Sequence, residues 1–123
     1  MIRILLADDY TIIRKGVRQI LTQAYPNAHF EEVEEREEWT EKLNESTWDM
    51  VISDLSMPDR GGLDTLQRIR QDFPELPVLI LSHSPKENYA ARAIKAGAAC
   101  YLEKDADPDE LILAVSRLLS GKK

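Results

Sequence analysis

Short apolar runs alternate along this chain with stretches whose apolar positions recur every three or four residues. The runs read as strands and the stretches as helices, and their alternation predicts an α/β fold on a parallel sheet. Ile2-Arg3-Ile4-Leu5-Leu6-Ala7 is the first strand. Ile13, Val17, Ile20 and Ala24 then mark one face of a helix, ended by Pro26-Asn27. Met50-Val51-Ile52-Ser53 and Val78-Leu79-Ile80-Leu81 are continuous apolar runs, as expected of strands covered on both faces. Between them, Leu63, Leu66, Ile69 and Phe73 mark a helix stopped before Pro74 and Pro77. A further helix is expected from about Pro85 to Ala96, closed by Gly97, with a short strand from Ala99 to Leu102. The last helix has the plainest start. Asp107 is placed to cap it, Pro108 suits its first turn, and Asp109 and Glu110 sit near the positive end of its dipole. Leu111, Ala114, Val115 and Leu118 form its expected buried stripe, and Gly121 ends it.

Residues 28–46 are the least patterned. Phe30 and Val33 suggest a second strand, and Trp39 and Leu43 a second helix. The acidic stretch Glu31-Glu32-Val33-Glu34-Glu35-Arg36-Glu37-Glu38 carries no turn residue, and is expected to be a solvated edge strand and a charged helix face. The count is then five β-α units, which a doubly wound five-stranded parallel sheet accommodates, because right-handed crossovers place helices on both faces. Ligands of such sheets bind beyond the carboxyl ends of the strands.

Composition narrows the class. With 123 residues, 43% apolar and 31% charged, the chain suits one soluble domain with a real core. No apolar run approaches the ~20 residues of a membrane span. The N-terminal apolar stretch is too short for a signal peptide, so a cytoplasmic location is expected. Cys100 is the lone cysteine, cannot form an intrachain disulfide, and is expected to be a buried inert thiol. A formal charge of −6 makes this chain by itself a poor ligand for nucleic acid.

The residues just after the strands carry the candidate chemistry. Asp8 and Asp9 follow the first strand, Asp54 the third, Ser82 the fourth and Lys104 the fifth. Each alone has an ordinary use: Asp-Asp as a helix cap, Asp54 in a turn, Ser82 as a cap, Lys104 in solvent. Together they would gather acids at one sheet edge. Two unit charges ~4 Å apart repel by roughly 4 kcal/mol at an effective dielectric of 20, so a pKa rises or a cation sits there. Mg²⁺ suits such an all-oxygen site. A carboxylate so placed can act as a nucleophile toward phosphorus, with Mg²⁺ and Lys104 neutralising the transferring oxygens.

At this point the chain resembles the receiver domains of bacterial response regulators. The resemblance spans nearly its whole length. It rests on Leu6-Ala7-Asp8-Asp9, Val51-Ile52-Ser53-Asp54-Leu55-Ser56-Met57-Pro58, Gly61-Gly62-Leu63-Asp64, Val78-Leu79-Ile80-Leu81-Ser82, and Ala96-Gly97-Ala98-Ala99-Cys100-Tyr101-Leu102-Glu103-Lys104-Asp105. The Asp-Leu-Ser-Met-Pro and Tyr-Leu-x-Lys-Asp wording is similar to the subfamily that precedes a LuxR-type (NarL-like, FixJ-like) helix-turn-helix domain. The chain stops at Gly121-Lys122-Lys123. Residues 1–123 are therefore expected to be one receiver, with the DNA-binding output domain outside this chain and a stand-alone receiver as the alternative.

The resemblance implies a flavodoxin-like sheet of strand order 2-1-3-4-5 and a two-component signalling role. Asp54 is then the phosphoacceptor for a sensor histidine kinase. Asp9 and Asp54 ligate Mg²⁺ directly, Asp8 acts mainly through water, and the main-chain carbonyl of Ser56 is a further ligand. Lys104 contacts the phosphate, Ser82 moves toward it, and Tyr101 changes rotamer with it. Kinase docking is expected on the first helix through Ile12, Ile13 and Gly16, where half-buried packing is the competing use of the isoleucines. A homodimer is expected on phosphorylation, DNA contact only through the absent domain, and no membrane partner. The chain takes part in its own phosphorylation but is not expected to be a turnover enzyme.

Some positions depart from the pattern. Asp105 stands where many receivers have proline, often after a cis bond, and a non-proline cis bond costs ~2.5–4 kcal/mol. His83 follows Ser82 where a small residue is common, and Tyr10 stands where the subfamily often has histidine. His29 is expected to be a surface residue without a partner. Three other functions are the alternatives. A Mg²⁺-dependent phosphatase like the haloacid dehalogenases would need an acid two residues after its nucleophile, and here that residue is Ser56. A flavin-binding domain would need a hydroxyl- and glycine-rich loop in place of Asp8-Asp9. A degenerate receiver would act by partner binding alone.

Overall fold

The apolar runs become strands because β-branched and leucine side chains at successive positions can be buried on both faces of a sheet. In the computed structural model, β1 (Arg3–Ala7), β2 (His29–Val33), β3 (Met50–Asp54), β4 (Val78–Ser82) and β5 (Cys100–Glu103) are paired in parallel in the order β2-β1-β3-β4-β5. The helices are α1 (Thr11–Ala24), α2 (Arg36–Glu45), α3 (Gly62–Asp72), α4 (helical over 92–96) and α5 (Pro108–Leu119). The structure describes residues 2–7, 11–33, 36–54, 62–82, 92–103 and 107–121.

Strand alternation divides the core between the two sheet faces. On one face Leu5, Val51, Val78 and Ile80 pack with Leu43 of α2, Leu66 and Ile69 of α3, and Ala93 and Ala96 of α4. On the other, Ile4, Leu6, Met50, Ile52, Leu79 and Leu81 pack with Val17 and Leu21 of α1 and Leu111, Val115 and Leu118 of α5. This is the doubly wound, flavodoxin-like arrangement expected from the alternation of elements. No helix among the described residues is long and apolar enough to cross a membrane.

Several boundaries and faces differ from the periodicity. The fifth strand runs Cys100–Glu103 and not from Ala99, and Cys100 is half-buried and not enclosed. α3 ends at Asp72, and Phe73 follows it, donating its N–H to the Ile69 carbonyl at 2.7 Å. On α1 the buried residues are Arg14, Val17 and Leu21, while Ile13 and Ile20 flank the stripe and Ala24 is exposed. The helix turns a charged residue inward because, as shown below, its charge is answered there. On α5 Asp107 does occupy the cap position with extended backbone, yet its side chain makes no capping hydrogen bond. Pro108, which has no N–H to satisfy, supplies part of the start instead. Ala114 is half-exposed on that helix.

Gly97 closes α4 with φ +126°, and its N–H meets the Ile94 carbonyl at 3.1 Å. A Cβ there would lie 3.1 Å from Cβ of Arg70 as well as adopting a backbone L-residues avoid. Gly97→Ala is expected to cost about 1–3 kcal/mol, read as a lower urea midpoint at unchanged slope.

Candidate functional site

A parallel sheet puts the carboxyl ends of all its strands at one edge. Here those ends are Ala7, Val33, Asp54, Ser82 and Glu103. The strand order reverses direction at β1 and β3, and this switch point leaves a crevice between the crossovers. In the register, Ala7 pairs with Ser53, Asp54 with Leu81, and Ser82 with Glu103. Asp54 therefore closes β3 one position past the partner of β1's last residue. The chain leaves β1 directly into Asp8-Asp9.

The predicted site residues divide as follows. The backbones of Asp54 and Ser82 end β3 and β4, at the expected edge, and their side chains lie outside what is described. Asp8, Asp9, Ser56 and Lys104 lie outside the described residues, as do Tyr10, His83 and the Lys104–Asp105 peptide. Tyr101 stands on β5 opposite Ile80 and is buried in the core shared with α3 and α4. Among the described residues, no three His, Cys, Asp or Glu side chains come together as a metal site. What fits Mg²⁺ is the chemistry of the donors that sequence and register supply: Asp54 at the end of β3, beside the strand that leads into Asp8-Asp9, all oxygen ligands.

The first-helix candidates are on view. Ile12 is 84% exposed, whereas Ile13 is partly buried against the core. With Gly16 and Leu111 they line a shallow groove of about 150 Å³ between α1 and α5 that reaches Leu102 and Glu103 at the end of β5. Packing thus explains Ile13 but not Ile12.

The acidic residues of β2 are not solvated as expected. Glu32 accepts from Arg14 Nε at 3.0 Å on one oxygen, and from Lys15 Nζ and Arg18 Nη1 at 2.9 Å on the other. Burial pushes its carboxyl up, and the hydrogen bonds from Lys15, Arg18 and Arg14 outweigh that, holding it below the usual carboxylate range. Glu31 lies 2.9 Å from His29 Nε2 and 3.0 Å from Lys42 Nζ. Its carboxyl is likewise held low, first by the His29 hydrogen bond and then by Lys42. His29, expected to lack a partner, also stacks on Trp48 at 6.4 Å between centroids, and the Arg3 guanidinium lies 4.9 Å from that ring. Sequence reasoning missed both networks. Their one legible signal was the cation spacing Arg14, Lys15, Arg18 on a helix that follows the strand next to an acidic run.

A doubly wound parallel sheet in this order, with an aspartate closing the strand at its switch point, matches one known family. The chain belongs to the response regulator receiver domain family, whose model matches residues 4–116. It is 31% identical to the response regulator UvrY of Escherichia coli (strain K12) over 123 residues, all of this chain and 56% of that protein. It is 32% identical over 119 residues to the nitrate/nitrite response regulator protein NarL of the same organism, covering 97% of this chain and 55% of that one. The chain thus spans about half the length of these curated relatives. Among solved structures, a LuxR-family two-component response regulator from Aurantimonas sp. SI85-9A1 superposes with a TM-score of 0.86 at 34% identity, over 98% of this chain and 86% of that one.

Proposed function

We propose that this chain is the phosphorylation-dependent switch of a two-component system, taking a phosphoryl group on Asp54 from a sensor histidine kinase. The observation that carries this reading is the position of Asp54. It ends β3 at the switch point, one register step past Ala7, from which the chain runs into two further acids.

In this mechanism a carboxylate oxygen of Asp54 bonds to phosphorus while the donor's bond to phosphorus breaks, giving an acyl phosphate. Asp8, Asp9, Asp54 and the Ser56 main-chain carbonyl would hold Mg²⁺, which when bound supplies neutralisation of the transferring oxygens. The Lys104 ammonium adds charge at the same place, and the Ser82 hydroxyl donates to the attached phosphate. Tyr101, on the strand next to Ser82's, is the residue through which the change reaches the α4–β5–α5 face. That face then alters dimer and output-domain contacts, so that DNA binding elsewhere in the protein responds. Ile12, with Ile13 and Gly16 next to it in the groove between α1 and α5, serves as the kinase-facing patch on α1. The acceptor is regenerated only slowly, so the domain acts as a switch in the cytoplasm and not as a turnover enzyme.

A small acyl phosphate donor with Mg²⁺ tests this. Intact-mass measurement is expected to show one added phosphate, stable in acid and labile in base, and none when Mg²⁺ is chelated. No adduct with the metal present would sink the proposal.

A further inference from the structure

We propose that Gly16 is a specificity-determining residue toward the phosphodonor: its missing side chain leaves a notch on α1 into which one helix of the donor protein packs, and the domain gives up stability to keep it. The inference rests on the function proposed above. It begins with a glycine that the fold itself does not use.

Gly16 sits inside α1, more than a turn from either end. A glycine there lowers the folded-to-unfolded ratio by about two- to fivefold relative to alanine. Two internal needs can justify that loss, a left-handed backbone or a close neighbour. Gly16 has neither. The positive-φ glycines among the described residues are Gly97 and Gly121, and a Cβ built on Gly16 meets nothing within 4 Å. Gly97 is the contrast, since both needs are met there. No described residue uses the space that Gly16 leaves.

That space opens into the groove between α1 and α5. Ile12, one turn earlier on the same face, stands 84% exposed beside it. Ile20, one turn later, lines the same groove. A large side chain, a gap and a large side chain at this spacing make a ridge with a hole in it, the surface onto which a second helix packs. The position of the groove names the occupant. Its lining includes Leu81, the ladder partner of Asp54, and it reaches Glu103, which closes β5 beside Ser82. A helix lying there is at the acceptor edge of the sheet, where a protein that hands over phosphate has to be.

Two donors are compared on the full chain. One is a small acyl phosphate, which needs no docking. The other is the phosphorylated phosphotransfer domain of whichever histidine kinase of the same organism labels the parent fastest. Dividing the second rate by the first removes any effect of a substitution on the acceptor itself. Gly16→Ala is expected to raise the urea midpoint and yet lower this ratio about tenfold, because a methyl group forced into a close-packed contact costs that much. Gly16→Leu fills the notch and is expected to lower the ratio further. Ile12→Ala is expected to lower it at an unchanged midpoint. Ala24→Leu, exposed at the far end of α1, is expected to keep the parent's ratio. The loss should lie in the donor concentration that half-saturates labelling and not in the rate at saturation, as loss of docking does.

A parent-like ratio in Gly16→Leu overturns the inference, as does an equal loss in Ala24→Leu. So does a lowered midpoint in Gly16→Ala, which would show that the fold needs the glycine, or a parent that no protein donor labels faster than the small one. If the parent self-associates and Gly16→Leu breaks the pair while its ratio stays, the occupant is a second copy and the inference fails. A parent that the small donor does not label overturns the functional proposal and this inference with it; the other failures leave that proposal standing.

Discussion

Asp54→Asn is expected to leave the protein folded and to abolish its labelling by a small acyl phosphate in the presence of Mg²⁺. An amide oxygen or nitrogen is a far weaker nucleophile than a carboxylate and cannot yield an acyl phosphate, so labelling should fall below ~1% of the parent. The fold is expected to tolerate the change. Asparagine has nearly the same shape, and the ladder between β3 and β4 at this position runs through main-chain groups opposite Leu81. In the proposed site, removing one of several acids also relieves repulsion rather than adding it. A thermal or urea melt at or above the parent's midpoint, together with mass spectrometry of the donor reaction, checks both halves. Labelling undiminished in this variant would refute Asp54 as the acceptor, and a peptide map would then show which residue carries the phosphate.

Glu32→Gln should give the largest loss of stability among charge changes at described positions. Glu32 and Arg14 are nearly enclosed, with side-chain exposures of 11% and 7%. Removing one partner of such a buried pair costs about 3 kcal/mol or more. That is a large share of the ~5–15 kcal/mol that holds a domain together. Lys15 and Arg18 are far more exposed, and their bonds to Glu32 add ~0–1 kcal/mol each. The pH dependence follows from the sign of the shift. The folded-state pKa of Glu32 is depressed, so its contribution is present above the unfolded-state value and is lost as pH falls through the folded one. Parent and Glu32→Gln should therefore differ most near neutral pH and converge in acid. Replacing both partners with leucine should recover most of the loss, because an apolar pair leaves no buried charge. Urea midpoints at pH 7 and pH 3 measure all of this, and a neutral-pH loss under about 1 kcal/mol would show the pair to be ornamental.

The two networks on β2 mark where the chain's own pattern stopped being informative. The run from Glu31 to Glu38 reads as solvated because charges are ordinarily left in water. Glu32 is instead held by cations 14 to 18 positions away along the chain, and Glu31 by His29 and by Lys42 of α2. Neither pairing has a local signature. The same cause moved the buried stripe of α1. Ile13, Val17, Ile20 and Ala24 make a good helical face by spacing alone, but the face turned to the sheet is Arg14, Val17 and Leu21, because Glu32 waits beside it.

What the sequence determined by itself was whatever follows from neighbours in the chain. Continuous apolar runs sufficed for β3 and β4, Pro108 with Asp107 for the start of α5, and Gly97 for the close of α4. Asp54 and Ser82 could be placed at the ends of β3 and β4 for the same reason, since strand ends are local events. The tertiary structure alone decided which strands stand side by side, and so brought the end of β3 next to the end of β1. It alone buried Arg14 against Glu32 and stacked His29 on Trp48. The physical reason is range. Periodicity reports only how one element meets an average interior, whereas a buried charge is stable only beside a particular partner, and that partner lies on another element.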